Sequence, residues 1–314
     1  MNEKYADLGN SRRIWAIAAI HGDVDRLATL HDHLATRFAV RDRLLYLGNY
    51  LGVESRTNAA VMDEILAFRA AILSKTGIEP SDIIYLRGPT EEAWQQLLRL
   101  QFAPSPLQAL DRLLASGVEA YLRLYGVSVN DTKSMARAGS LAITRWTNQI
   151  RALQRSAPGH EALMCSMRRA ALAQPSLDSK KLLFVPAGFD PTRTLEDQGE
   201  ALWWTSAPFR ASGRTENMYS RIVRGFNSVN SGAVLDEAAV TLDGGCGRGG
   251  PLVAGCFTPA GKLIELVAVG GQGVLESAPF EREAANDFFT GTRATSGKSV
   301  PMPDYGDYRI GASA

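Results

Sequence analysis

The chain has 314 residues, 45% of them apolar, with 34 Lys and Arg against 33 Asp and Glu and a formal charge of +1. That suits one large globular core, and the balanced charge removes the general electrostatic basis for binding nucleic acid or an anionic membrane. No stretch approaches the ~20 uninterrupted apolar residues that cross a bilayer, and MNEKYADLGNSRR has no apolar segment of the kind a secretory signal needs, so a cytoplasmic location is expected. Cys165, Cys246 and Cys256 are odd in number with no C-x-x-C spacing, which predicts free thiols rather than a disulfide framework or a thiolate zinc site.

In chain order, residues 1–12 read as a polar tail. Ile14 to Ile20 is a continuous apolar run stopped by His21-Gly22-Asp23, the pattern of a buried strand. Val24, Leu27, Leu30, Leu34 and Phe38 then share one helical face. A second strand over Leu44 to Tyr50, a helix over Asn58 to Ser74 and a third strand over Ile83 to Leu86 follow, the last ending at Arg87-Gly88-Pro89. Repeated strand-helix units predict parallel pairing with helices on the sheet faces. Residues from about 90 to 175 are helical in pattern and read as a cap inserted in the sheet, with Ser105-Pro106 as a helix start. Strand patterns return at Lys181 to Val185, Arg221 to Val223, Ala239 to Leu242, Leu252 to Phe257 and Leu263 to Val269, and the second half is expected to be more antiparallel. Residues 271–314 are rich in Gly, Ser, Thr, Ala and Pro and predict a flexible or wrapping tail.

The turns that follow the strands are where an α/β protein keeps its chemistry. Here they read Ala19-Ile20-His21-Gly22-Asp23, Leu47-Gly48-Asn49-Tyr50-Leu51-Gly52, Arg87-Gly88-Pro89-Thr90-Glu91, Val185-Pro186-Ala187-Gly188, Arg224-Gly225-Phe226-Asn227 and Leu242-Asp243-Gly244-Gly245. In order and spacing, residues 13–270 resemble the calcineurin-like metallophosphoesterases, in particular the bacterial branch of the serine/threonine phosphoprotein phosphatases that includes diadenosine tetraphosphatases. The resemblance implies an α/β fold, an αββα sandwich of mixed sheets with a helical cap insertion. It also implies a site built on two divalent metals such as manganese.

That family reads GDIHG, GDYxDRG, RGNHE, HAG and GHT at these turns. Against it, Ala19 stands at an Asp ligand, Asn49 at the bridging Asp, Val53 at the phosphate-clamping Arg, Pro89 at the Asn ligand, Thr90 at the catalytic His, and Pro186 and Phe226 at His ligands. His21 alone is kept. Two divalent cations close together need several anionic or imidazole donors to offset their repulsion, and one His with one Asn cannot supply them. The glycines of the turns persist while the ligands do not, so the resemblance predicts a pseudophosphatase with no cofactor: a protein-binding, regulatory or structural subunit. The alternative is a hydrolase with altered or weak metal binding, which would need His21, Asn49, Asp23, Glu91 or Asp243 to regroup as ligands.

Further expectations concern the rest of the chain. His21, Arg87 and Arg224 are candidates for an anion site in the vacated cleft. Phe288, Phe289, Tyr305 and Tyr308 are candidate anchors for a protein partner or a homo-oligomer. Gly245-x-Gly247-x-x-Gly250 has the letters of a dinucleotide fingerprint but precedes a strand rather than a helix, and GTRATSGKS at 291–299 has one residue too many for a phosphate loop. Trp203-Trp204 reads as core in preference to a nucleobase platform.

Overall fold

The computed structural model describes residues 4–9, 11–204, 209, 217–228, 232–271 and 273–277. Strand β2 (Arg13–Ile17), helix α1 (Val24–Ala35), β3 (Asp42–Tyr46), α2 (Asn58–Leu73) and β4 (Ile83–Tyr85) are the expected strand-helix units. β2, β3 and β4 pair in parallel, with Ile14 opposite Arg43 and Leu44 opposite Ile83. On the other side of β2 comes β10 (Leu252–Phe257), antiparallel, then β11 (Leu263–Gly270) and β12 (Gly273–Ser277), giving one six-stranded sheet in the order β12-β11-β10-β2-β3-β4. The second sheet runs β1 (Tyr5–Asp7), β5 (Ala170–Ala173), β6 (Lys181–Val185), β7 (Tyr219–Arg224), β9 (Ala239–Thr241) and β8 (Val234–Leu235), and it too mixes parallel and antiparallel pairs.

The alternation along β2 builds the layers. Ile14 and Ala16 face the second sheet, where they join Leu45, Phe184, Val223, Val240 and Phe257 in a core between the sheets. Trp15 and Ile17 face the other way, against α1, α2 and the helices after β4. The outer face of the second sheet is covered by Phe189, Leu195, Leu202 and Trp203 around Leu183, Val185 and Ile222. Both faces of each sheet are therefore buried, which is why the central strands read as continuous apolar runs. This is the αββα sandwich of mixed sheets that the resemblance implies.

Between β4 and β5 lie six helices: α3 (Pro89–Leu97), α4 (Pro106–Ala115), α5 (Glu119–Leu124), α6 (Val129–Arg137), α7 (Ser140–Ser156) and α8 (His160–Ser166). A short helix α9 (Ala201–Trp204) follows β6. Three expectations need correction. Residues 1–12 contain β1, because Leu8 is fully buried and Tyr5 donates its hydroxyl to the Leu195 carbonyl at 2.8 Å, anchoring a segment whose composition looks polar. The last part of the helical stretch, Ala170–Ala173, is a strand between β1 and β6. Gly273–Ser277, assigned to the tail, pairs with β11 as β12. Phe288, Phe289, Tyr305, Tyr308 and the 291–299 segment lie outside the described residues.

Candidate functional site

The turns quoted above converge at one edge of the sandwich. His21 and Asn49 both adopt positive φ, 50° and 56°, the left-handed region that non-glycine residues seldom enter and in which Asn, Asp and His are the commonest of them. Backbone bonds hold the two turns together: the Asn49 carbonyl accepts from Ile20 N–H at 3.0 Å and His21 N–H at 2.9 Å. A Cβ on Gly48 would lie 2.4 Å from the Gly88 nitrogen, so the third turn is pressed onto the second at a position that only glycine fits.

The residues at the ligand positions are turned to other work. Ala19, Ala187 and Phe226 form a buried apolar cluster, with Phe226 only 3% exposed. The Pro186 carbonyl accepts from Gly225 N–H and Phe226 N–H, and the Gly225 carbonyl from Ala19 N–H at 3.1 Å, which closes the three turns on one another. Pro89 and Thr90 are the first two residues of α3, where proline's missing N–H costs nothing. The Asn49 Oδ1 accepts from Thr90 N–H at 3.2 Å and from its hydroxyl at 3.1 Å, so the side chains at the bridging and catalytic positions bond to each other. Val53 is half-buried, and its carbonyl accepts from Arg123 of α5.

The acids expected to regroup around a metal in the alternative reading are each committed elsewhere. Asp23 caps α1 by accepting from Arg26 N–H and pairs with the Arg26 guanidinium. Asp243 is fully buried, accepting from Asn227 N–H at 3.0 Å, Gly245 N–H at 2.9 Å and Arg248 Nη2 at 2.9 Å. Glu91 is fully buried and takes five bonds. Its Oε2 accepts from Asn49 N–H at 2.7 Å and Gly88 N–H at 2.9 Å, and its Oε1 accepts from Tyr50 N–H at 3.2 Å and the hydroxyls of Thr90 and Tyr121 at 2.8 Å each. It ties the second turn to the third and, through Tyr121 on α5, to the cap. Among the described residues no group of three or more His, Cys, Asp or Glu is placed to hold a metal ion. The donor set does not fit a two-metal centre.

His21 sits against this plug. Its ring meets Phe226 edge-on with centroids 5.2 Å apart, Gly247 presses on its Cβ from the loop before β10, and its buried Nε2 has no hydrogen-bond partner. Burial lowers its pKa to about 4, with Arg248 acting in the same direction and Asp243 opposing, so the imidazole is neutral near pH 7. The other two candidates for an anion site have their own partners. Arg87 pairs with Glu92 at 3.1 Å and lies 5.3 Å over the Trp203 ring, while Arg224 donates to Thr241 Oγ1 at 2.8 Å and to the Ala187 carbonyl. Burial lowers the pKa of Arg224 to about 10 against the pull of Asp243. An anion recruited by all three would have to draw both arginines off these contacts. The Gly245 to Gly250 loop runs into strand β10, where Gly247 packs closely over His21 and Gly250 against the Gly244 carbonyl, and Trp203 belongs to the core of the outer layer.

The sandwich topology and the six converging turns agree on the architecture. The fold is an αββα sandwich of two mixed sheets. No family model and no curated protein matches this sequence. Among solved structures, the chain is similar to a protein described as a diadenosine tetraphosphatase, at 14% identity over 88% of this chain and 99% of that one, with a TM-score of 0.46. It is also similar to a Saccharomyces cerevisiae serine/threonine phosphatase, at 14% identity over 88% of this chain and 84% of that one, TM-score 0.42. A point mutant of a cold-active protein tyrosine phosphatase gives 10% identity over 88% and 82% of the chains, TM-score 0.44. Among the described residues, no helix is long and apolar enough to cross a membrane.

Proposed function

We propose that this chain is a phosphatase-like scaffold without metal chemistry that acts as a protein-binding, regulatory or structural subunit. The observation that carries the reading is the apolar cluster of Ala19, Ala187 and Phe226 at positions where the resembling family places or adjoins metal ligands. A site that once needed charge is filled with groups that exclude it, and the neutral His21 and the five-fold bonded Glu91 complete a packed interior. Attack of a metal-bound hydroxide on a phosphoester has no nucleophile here, and Thr90 cannot act as the acid because its proton is shared between Asn49 and Glu91. The test pairs elemental analysis of the purified protein with a manganese-supplemented assay on a generic aryl phosphate. Near-stoichiometric metal, or turnover that disappears in His21→Ala and persists in a distant surface variant, overturns the proposal.

A further inference from the structure

Two helical faces of the cap stand apart and leave a cavity of about 160 Å3 between them. Helix α4 contributes Ala109, Arg112, Leu113 and Ser116, whose three- and four-residue spacing makes one contiguous stripe. Against it stand Gln96 of α3 and, from the turn that follows, Leu100 and Ala103, again four and three residues apart. Glu200, just before α9, and Trp204, its last residue, complete the wall. Gln96 Nε2 donates to Glu92 Oε1 at 3.1 Å and to Glu200 Oε1 at 3.3 Å, which ties the α3 side to the α9 side.

The chemistry of the walls is segregated. Leu100, Ala109 and Leu113 are buried and form an apolar floor, with the half-buried Trp204 ring beside them. Arg112 and Glu200 are exposed and mark the mouth. Among the described residues the Arg112 guanidinium has no hydrogen bond or ion pair, and the Glu200 carboxylate accepts only from Gln96. Two opposite charges therefore border one cavity without being spent on each other. A ligand with a carboxylate and an ammonium at one end and a hydrocarbon at the other answers all three features. A simple carboxylic acid would face Glu200 with like charge, and an amine would face Arg112. A nucleotide is too large, since a cavity of about 150 Å3 is filled by a benzene-sized body. We infer that the cavity binds a free apolar α-amino acid, its carboxylate on Arg112, its ammonium on Glu200 and its side chain on Leu100, Ala109 and Leu113. A small-molecule ligand of this kind goes beyond the reading of the chain as a scaffold. The cavity shares no residue with the turns of the vacated site, so its failure to bind would leave the metal and aryl-phosphate assays as they stand.

The test titrates the full chain with L-leucine and L-phenylalanine in a calorimeter. At least one should bind saturably, and glycine, which lacks the hydrocarbon, should bind about tenfold more weakly or worse. The amide and the N-acetyl derivative of the amino acid that binds each lose one charge and should each lose about tenfold or more. Arg112→Ala and Glu200→Gln should weaken binding to a similar degree and leave the thermal melt unchanged, because both side chains are exposed. Ala109→Leu, which grows into the cavity from a helical position and keeps a good helix former there, should abolish binding without lowering the melt. No saturation by either amino acid below about 10 mM would overturn the proposal. So would glycine binding as tightly as the larger amino acids, an amide or acetyl derivative as tight as its parent, or unchanged affinity in the Arg112, Glu200 and Ala109 variants.

Discussion

Glu91→Gln isolates the carboxylate that holds the vacated site together. Glutamine preserves the shape but puts two donors where one acceptor oxygen stood. With its amide nitrogen at the Oε2 position it confronts the N–H groups of Asn49 and Gly88, neither of which can turn away. With the nitrogen at Oε1 it meets the hydroxyls of Thr90 and Tyr121, which can rotate to accept, and the Tyr50 N–H, which cannot. The second orientation is cheaper. It leaves one buried backbone donor orphaned, at about 1–3 kcal/mol, and turns the two remaining backbone bonds from charge-assisted to neutral, at about 1 kcal/mol each. The cheaper burial of an uncharged amide offsets part of this, so the net loss is about 2–4 kcal/mol. With a urea slope near 3 kcal/mol/M for a chain of this size, the unfolding midpoint followed by tryptophan fluorescence should fall by about 1 M. Tyr121→Phe, which removes one hydroxyl donor and the link to the cap, should cost about 1 kcal/mol. A Glu91→Gln protein within about 0.5 kcal/mol of wild type would refute the view that this carboxylate gathers the turns.

Acid should weaken the fold through His21. The folded protein takes up that proton only near pH 4 and the unfolded chain near 6.5, so the stabilisation is complete above 6.5 and declines as the pH drops toward 4, by about 3 kcal/mol in total. His31 and His160, also lowered chiefly by burial, add in the same direction. Urea midpoints at pH 7 and pH 5 should therefore differ less in His21→Asn than in wild type, and an unchanged difference would count against the assignment. Phe226→Ala should cost about 3–5 kcal/mol through the cavity it opens; calorimetric titration with manganese should still give no binding, because Pro89 and Pro186 offer no donor. A disulfide-exchange reagent should label one thiol of the native protein and three after unfolding, since Cys165 is exposed while burial raises the pKa of Cys246 and Cys256 to about 12. Rapid native labelling of two thiols would contradict the burial of Cys246 or Cys256.

The sequence discloses the architecture where burial leaves a periodic trace. Lys181–Val185 and Leu252–Phe257 coincide with the runs that predict them, because strands covered on both faces must be apolar throughout. β1 and β5 escape detection for the converse reason. Tyr5–Asp7 has three residues and one polar end, and Ala170–Ala173 has the composition of a good helix former, so pairing with β6 overrides its local preference. At the site, the missing donors are legible as letters. What replaces them is not: that Phe226 fills the space between Ala19 and Ala187, or that Glu91 bonds to Tyr50 and Tyr121, depends on turns brought together from distant parts of the chain. Glu91 three residues after Gly88 at a helix start is the one local hint, as a side chain able to reach back to the first N–H of its own helix.

The place of β10 beside β2 has a consequence for how the protein is made. Ile14 to Ile17 pair with Phe257 to Ala254, so one edge of the first apolar strand to leave the ribosome must wait for a partner about 240 residues later. At ordinary elongation rates of roughly 5–20 residues per second, that is an interval of roughly ten to fifty seconds. For that time Trp15 and Ile17 can rest on α1 and α2, but the hydrogen-bonding edge of their strand stays open to any other extended chain. Nascent molecules on neighbouring ribosomes are the nearest such chains, so the yield of this protein should depend on chaperones that shield strand edges during synthesis more than its finished stability suggests.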